Sequence, residues 1–458
     1  MTTTYDPYHP KYYDETDLRT ELDRVYDLCH GCRLCFKFCP SFPTLFDFVD
    51  QHDDQDVSKL TTAQQDQVVD ECFNCKLCYV NCPYTPDQHE WNLDFPRLML
   101  RAKQIAHRDD DRKKKPMHLA TDYALAKTDL IGSLNANAVV SPIAEMALAT
   151  PGSRPRQLVE RALGISAERI LMPYAKQRFS TWFKKRSSSL GKPKQADAIL
   201  FPTCLVEYQD VTVGHDLVKV CERNGIHCSL PEGENCCGAP WLHEGDVKNF
   251  EKLARKNIAV LAEAIREGDR KGQSPTVIVP QPTCGYILKR DYVDYVGGPD
   301  AQLVADRTQD AAEFLMAVHK ADDTELDTEF TGHIPASVTY HAPCHLRAQN
   351  IGLKSRDLIK LTGAKVKVVA ECSGIDGMWG LRAEYYDMAR KVAKKMGQMI
   401  IKNDSDVVAG DCSLANGGIT LETGSVPQHP ISLVARAYGI AAEPDIPNYD
   451  PTFANPQT

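Results

Sequence analysis

Eight cysteines near the start of the chain repeat one spacing: Cys29, Cys32, Cys35 and Cys39 followed by Pro40, then Cys72, Cys75, Cys78 and Cys82 followed by Pro83. Each copy reads C-x2-C-x2-C-x3-C-P. Three thiolates spaced by two residues wrap one face of a cube of iron and sulfide, and the fourth, followed by a proline that turns the chain away, reaches across to the other cube. Cys29, Cys32, Cys35 and Cys82 are therefore expected to hold one [4Fe–4S] cluster, and Cys72, Cys75, Cys78 and Cys39 a second. Paired zinc sites also use C-x2-C, but zinc requires neither the third closely spaced cysteine nor the terminal C-P in both copies. Phe42, Leu45, Phe46, Phe48 and Val49 lie between the two copies and can shield the clusters from water. Two adjacent clusters imply one-electron transfers in series, so this segment is expected to conduct rather than catalyse.

The rest of the sequence sets the surroundings. With 458 residues the chain is too long for one small module, and it carries 17 cysteines without needing a disulfide framework. Its net charge of −9 argues against nucleic acid as a partner. The N-terminus, Met1 to Asp6, has neither a basic nor an apolar stretch of the secretory kind, and no run approaches the roughly 18 apolar residues of a membrane span. A cytoplasmic location in a reducing compartment is expected, with any contact at the inner face of the cell membrane peripheral.

From Asn92 to Ala196 there is no cysteine, and helical signals alternate with Pro116, Pro142, Pro151-Gly152 and Pro155, which reads as a helical connector. Within it, Arg178 to Arg186, continuing to Lys192 and Lys194, is basic and aromatic without an acid. That composition suits a membrane surface or an acidic partner, but with no clear amphipathic period a solvated loop is the favoured reading. Asp109 to Lys115, acids followed by bases, reads as an exposed loop.

Seven of the remaining nine cysteines follow a repeated plan. In the first copy an apolar run from Ala198 leads to Cys204. Then come a helix ending near Asn224-Gly225, Cys236-Cys237-Gly238, a long helix from Asp246 to Glu267, a strand Thr276 to Pro280, and Cys284-Gly285. In the second, Ser337 to Cys344 is followed by a helix Ser355 to Leu361, a strand Val366 to Ala370, Cys372-Ser373-Gly374, a helix Arg382 to Lys402, and a strand Asp406 to Cys412. Two related α/β units are expected, each with its cysteines just after strand ends, at the edge where parallel sheets gather ligands. Cys221 and Cys228 fall outside the plan and read as buried apolar residues. Trp241, Trp379, Met378 and His243 are candidates for a pocket beside these cysteines.

Cys236-Cys-Gly-Ala-Pro-Trp-Leu-His243, Pro282-Thr-Cys-Gly-Tyr286, Tyr340-His-Ala-Pro-Cys-His-Leu-Arg-Ala-Gln349 and Cys372-Ser-Gly-Ile-Asp-Gly-Met-Trp-Gly380 resemble the CCG cysteine-rich domain of heterodisulfide reductases. Preceded by a two-cluster ferredoxin module, the arrangement is similar to the iron–sulfur subunits of anaerobic glycerol-3-phosphate dehydrogenase, glycolate oxidase and lactate-utilisation complexes. The resemblance runs from about Tyr26 to Gly439. It implies a mainly helical ferredoxin-type domain over 1–95, a helical connector over 96–196, and α/β CCG domains over 197–320 and 335–450. It also implies an electron-transfer subunit that takes electrons from a flavoprotein dehydrogenase or oxidase partner and passes them to quinone or another acceptor.

The chain departs from the heterodisulfide reductase pattern at three positions. The upstream member of each closing C-x2-C pair is Gln281 in the first copy and Ala409 in the second, and Ser373 replaces the second cysteine of the C-C-G triplet. Copy one keeps Cys204, Cys236, Cys237 and Cys284, enough for a third, four-ligand cluster. Copy two keeps only Cys344, Cys372 and Cys412. A serine hydroxyl is a poor iron ligand, so copy two either borrows a neighbour such as His341 or His345 or holds no cluster. The missing pairs weigh against disulfide reduction, which stays the alternative beside a redox-sensing scaffold. With no G-x-G-x-x-G after a strand and no P-loop, the chain is expected to be a subunit of an oxidoreductase complex rather than a self-sufficient enzyme.

Overall fold

The computed structural model describes residues 5–109, 116–148, 150–186, 198–321, 324, 326–375 and 377–442. Asp376, Lys192, Lys194, most of the Asp109–Lys115 run and the stretch from 443 to 450 lie outside the described residues. The described chain is a mixture of helices and two parallel sheets.

Everything described before residue 198 is helical or loop. The helix Glu15–Cys32 starts where the Asp14 carboxylate accepts from the Asp17 amide and stops at Arg33, whose φ of 52° turns the chain sharply after Cys32. The helices Ser41–Asp50, Thr62–Asp70 and Phe95–Arg108 pack on it. Thr61 and Gln64 form a capping box at the start of Thr62–Asp70. Leu18, Leu22, Val25, Phe42, Leu45, Phe46, Val49, Leu98 and Met99 fill the core between these helices, so most of the apolar residues between the two cysteine motifs are core residues; Phe48 packs on them half-buried. The helices Pro116–Ala126, Thr128–Asn135, Val140–Leu148, Arg154–Leu163 and Phe179–Lys185 follow.

The first sheet contains β1 (Ala198–Leu200), β2 (Cys228–Ser229), β3 (Thr276–Val279) and β4 (Thr308–Asp310), all parallel, in the order β2-β1-β3-β4. The second contains β5 (Ser337–His341), β6 (Lys365–Val369) and β7 (Val407–Gly410), also parallel, with β5 in the centre. Central strands with buried side chains throughout, such as Ala198–Leu200, read as continuous apolar runs because helices cover both faces. The long helix Val247–Arg270 covers the first sheet and Tyr386–Asn403 the second. A short 3-10 turn at Ala383–Tyr385 occupies the start of the helix expected from Arg382, and another at Trp379–Leu381 precedes it.

The two units end alike at one edge: in the first, β4 pairs with β3 and leads into the helix Ala311–Lys320, and in the second a single parallel bridge from Ala409 of β7 to Gln428 leads into Pro430–Ala437. These two helices also join the units, because Ala311–Lys320 packs on Lys354–Leu361, and the last described helix, Pro430–Ala437, returns to Val211–Arg223 of the first unit. Arg436 pairs with the buried Asp216 along that seam. Cys221 and Cys228 belong to this apolar seam. The aromatic residues of the Arg178 segment also turn inward: Phe179 is buried, and Trp182 lies 4.0 Å from the His215 ring, half-buried. Among the described residues no helix is long and apolar enough to cross a membrane.

Candidate iron–sulfur centres

None of the seventeen cysteines is in a disulfide. Cys29 and Cys32 lie in the last turn of Glu15–Cys32, and the left-handed Arg33 swings the following residues so that Cys35 stands on the reversing loop. Burial pushes the Cys29 thiol up, and Cys35, Cys82 and Cys32, the charges nearest to it, push it further. The same causes push Cys35 up to about 12. These four are the residues that the spacing assigns to one cluster. The amide of Tyr84 donates to Cys82 Sγ at 3.4 Å.

Cys39, Cys72, Cys75 and Cys78 are all buried. Burial raises Cys39, with Cys72 as the neighbouring charge, and raises Cys78, with Cys35, Cys39 and Cys72 beside it. The αL conformations of Asn74 (φ 51°) and Lys76 (φ 64°) bend the segment around Cys75. A small cavity between Cys39, Cys72, Cys75, Cys78, Phe73 and Phe95 lies within this set. Thiols crowded in a low-dielectric interior resist ionisation together, and cationic iron relieves that repulsion; the donor set fits an iron–sulfur cluster.

In the first sheet unit the cysteines sit where β1 and β3 end. Cys204 lies in the helix Thr203–Tyr208, and Cys284 in the first turns of Pro282–Tyr286. Cys236 and Cys237 precede Gly238, whose φ of 93° and whose position leave no room for a side chain: a Cβ there would stand 2.7 Å from the Phe250 ring. Cys204 donates to Cys236, which raises the first thiol and lowers the second, and Cys284 is raised by its bond to Cys237. All four thiols thus meet. Asn257 Nδ2 holds the Cys236 carbonyl at 2.8 Å, and Tyr292 Oη holds that of Cys237 at 3.1 Å.

Sequence reading missed Asp129. Its carboxylate accepts from the amides of Asn235 and Cys236, both at 3.1 Å, and from Tyr208 Oη at 2.9 Å, so a helix from the cysteine-free stretch fixes the Cys236 loop. No local pattern signals this role, since the partners lie 79 to 107 residues away.

The second unit repeats the arrangement with fewer thiols. Gly374, at φ 64°, donates its amide to Cys372 Sγ at 3.3 Å, as Gly238 does to Cys236 Sγ at 3.3 Å. Cys344 opens the helix Cys344–Ala348, and Cys412 caps Ser413–Thr423. Ser373 is buried. The nearest charges to Cys75 are Cys344 and Cys372, so this unit faces the buried cysteines of the N-terminal part. Gln281 Nε2 donates to Ser413 Oγ at 2.7 Å and its Oε1 accepts from the Ser413 amide at 3.1 Å, while Ala409 is fully buried in β7. Where the closing pair of the first unit lacks a cysteine, an amide joins the two units.

His345 and His341, the two candidate substitutes, differ. His345 has both ring nitrogens in hydrogen bonds, to Thr283 Oγ1 at 3.1 Å and to the Asn74 carbonyl at 3.2 Å. His341 has Nε2 2.9 Å from the Glu371 carbonyl, and burial pulls it down to about 4, which keeps it neutral.

Trp241, Trp379 and Met378 line one cavity of about 490 Å³ with Tyr123, Tyr385 and Lys103; His243 instead stacks at 6.0 Å on His345. Trp379 reaches out of its unit, with its ring 4.9 Å from Phe73 and its Nε1 donating to the Asp70 carbonyl at 3.0 Å. Among the described residues no three His, Cys, Asp or Glu side chains close on a single metal ion. The thiolates of a cluster stand on separate irons, so the cysteine sets above are read against that larger group.

A 4Fe-4S dicluster domain matches residues 22–110, and a cysteine-rich domain, CCG, matches 198–289 and 338–414. One subunit of the anaerobic glycerol-3-phosphate dehydrogenase from Escherichia coli K12 is 29% identical over 319 residues, covering 69% of this chain and 76% of that protein. One subunit of the CoM/CoB fumarate reductase from Methanothermobacter marburgensis is 29% identical over 229 residues, 49% of this chain and 42% of that protein. Lactate utilization protein A from Bacillus licheniformis is 28% identical over 183 residues, 39% of this chain and 66% of that protein. The chain carries a CCG cysteine-rich domain and a 4Fe-4S dicluster domain and is homologous to these three proteins.

Proposed function

We propose that the chain is an electron-transfer subunit that receives electrons from a flavoprotein dehydrogenase or oxidase and delivers them to a quinone or another acceptor. The observation that carries this reading is the succession of cysteine sets from surface to interior. Cys32 is exposed, flanked by the exposed Leu34 and Phe36; Cys39, Cys72, Cys75 and Cys78 are buried behind it; Cys344 and Cys372 stand next to Cys75. When bound, [4Fe–4S] clusters supply reversible one-electron steps.

In this reading Cys29, Cys32, Cys35 and Cys82 hold the cluster nearest a docking partner, and Cys72, Cys75, Cys78 and Cys39 the next. Cys204, Cys236, Cys237 and Cys284 hold a third. Leu34 and Phe36 give a partner an apolar contact beside the first set. The amides of Tyr84, Gly238 and Gly374 donate to cysteine sulfurs and favour their ionised forms. Phe42, Phe73 and Phe95 exclude water from the second set. The names of the relatives, subunits of a dehydrogenase and of a reductase, support a subunit role.

The test uses the full chain purified without oxygen, with iron and sulfide quantified. Photoreduced deazaflavin stands in for the flavoprotein and menadione for the acceptor. Paramagnetic signals that appear on reduction and vanish on adding menadione support the relay. Failure of menadione to reoxidise them, or direct reduction of a disulfide by this chain alone, would overturn it.

A further inference from the structure

The second sheet unit lacks one thiolate, and its own strands offer the replacement. We propose that His341, through Nδ1, is the fourth protein ligand beside Cys344, Cys372 and Cys412 for an iron–sulfur cluster in this unit. The assignment rests on the electron-transfer reading above and adds a ligand set to it.

Position is the first argument. His341 is the last residue of β5, the central strand, and the register pairs it with Val369 of β6 and Gly410 of β7. Cys344 follows three residues after His341, Cys372 three after Val369, and Cys412 two after Gly410. The histidine therefore stands at the carboxyl edge of the sheet where all three cysteine-bearing turns begin.

Protonation is the second. A carbonyl oxygen only accepts, so the 2.9 Å contact with Glu371 requires the hydrogen of His341 to be on Nε2. Nδ1 then carries the lone pair. That atom is buried and has no hydrogen-bond partner among the described residues, on a side chain 2% exposed. A ring nitrogen fixed by a carbonyl on its far side is the usual state of a metal-binding histidine. The bonded carbonyl belongs to the residue before Cys372, so the same contact orients ring and cysteine loop together.

The internal repeat supplies the third argument. In the first unit the residue three before the leading cysteine is Phe201, a buried apolar side chain, and that unit has four thiols. In the second unit the same position is His341, and one thiol is missing because Ser373 replaces it. A donor appears at the strand end where a donor has been lost from the loop. His345 is set aside, since both of its nitrogens are engaged by Thr283 and Asn74. Three cysteines and one histidine also form the donor set of structural zinc. Iron–sulfur is favoured here by the adjacency of Cys344 and Cys372 to Cys75.

The experiment compares the full wild-type chain with His341→Cys, His341→Ala and Cys344→Ala, each purified without oxygen, with iron, sulfide and zinc counted. Samples labelled with ¹⁵N-histidine are reduced and examined by pulsed electron paramagnetic resonance. The wild type is expected to show one strongly coupled histidine nitrogen. H341C should lose that coupling yet keep its iron, whereas H341A and C344A should lose the coupling together with about four irons per chain. Absence of the coupling in the wild type, its persistence in H341C, or one zinc per chain that C344A removes would each overturn the assignment. Signals of the N-terminal cysteine sets are read in the same spectra and test the electron-transfer reading separately. If those signals reduce normally and the nitrogen coupling is absent, only the ligand assignment fails.

Discussion

The Nε2 of His345 lies 3.2 Å from the carbonyl oxygen of Asn74, a residue 271 positions away in the chain. Its other nitrogen lies 3.1 Å from Thr283 Oγ1. The residue after Cys344 thus ties the loop between Cys72 and Cys75 to the residue before Cys284, and one buried imidazole spans three cysteine groups. The carbonyl fixes the hydrogen on Nε2, leaving Nδ1 to accept from the threonine hydroxyl.

Replacing His345 by alanine removes both bonds and takes a partner from the carbonyl of the buried Asn74 and from the hydroxyl of the half-buried Thr283. The expected loss is about 1–3 kcal/mol, seen as a lower urea midpoint in anaerobic unfolding. His345→Phe, which refills the volume without the bonds, should recover less than half of the loss.

Trp379 makes a similar connection by packing. Truncating a buried tryptophan to alanine costs about 3–5 kcal/mol, and here the ring leaves both Phe73, next to Cys72, and the stacked Tyr385 at 4.7 Å. W379A should unfold at lower temperature and lose iron faster to a chelator than the wild type.

Asp291 gives a pH dependence with a definite sign. Burial holds its carboxyl up to about 6 from an ordinary 3.8, with Lys76 the nearest charge acting the other way. The folded state binds this proton more tightly than the unfolded chain, so the stability it contributes is complete below pH 3.8 and is lost as pH rises through about 6. The shift corresponds to about 3 kcal/mol. Asp291→Asn should therefore stabilise the protein more at pH 7.5 than at pH 5, measured by urea unfolding at both; an equal effect at the two would contradict this.

Asp129 holds the Cys236 loop with three accepted hydrogen bonds. Asp129→Ala should reduce iron retention in the first sheet unit while the signals of the N-terminal cysteine sets persist. Loss of all signals together would show that the loop is not the element affected.

The cysteine motifs were legible because iron–sulfur ligation imposes short, fixed spacings, and Cys29 to Cys82 carry theirs within local sequence. The two sheet units were legible for a related reason: Cys204 and Cys344 each follow an apolar run short enough to be one strand. What sequence could not show are contacts between distant segments. Asp129 looks like any acid in a helix, and Trp379 like a core residue of its own unit. The strand Thr308–Asp310 is three residues long with polar side chains, so no apolar alternation marks it. His341 and His345 are four residues apart and chemically identical; only the carbonyl of Glu371 and the hydroxyl of Thr283 distinguish their free and engaged nitrogens.

The amide of Gln281 has its oxygen and its nitrogen both committed to Ser413, whose hydroxyl in turn donates to Asp210 at 2.8 Å. When a charge arrives at a redox centre, nearby dipoles rotate to meet it, and that rearrangement slows the next transfer. A dipole pinned at both ends has no rotation left to make. The position that holds a cysteine in the pattern this repeat resembles is here a fixed element of the surroundings, suited to letting charge pass with little response from the protein.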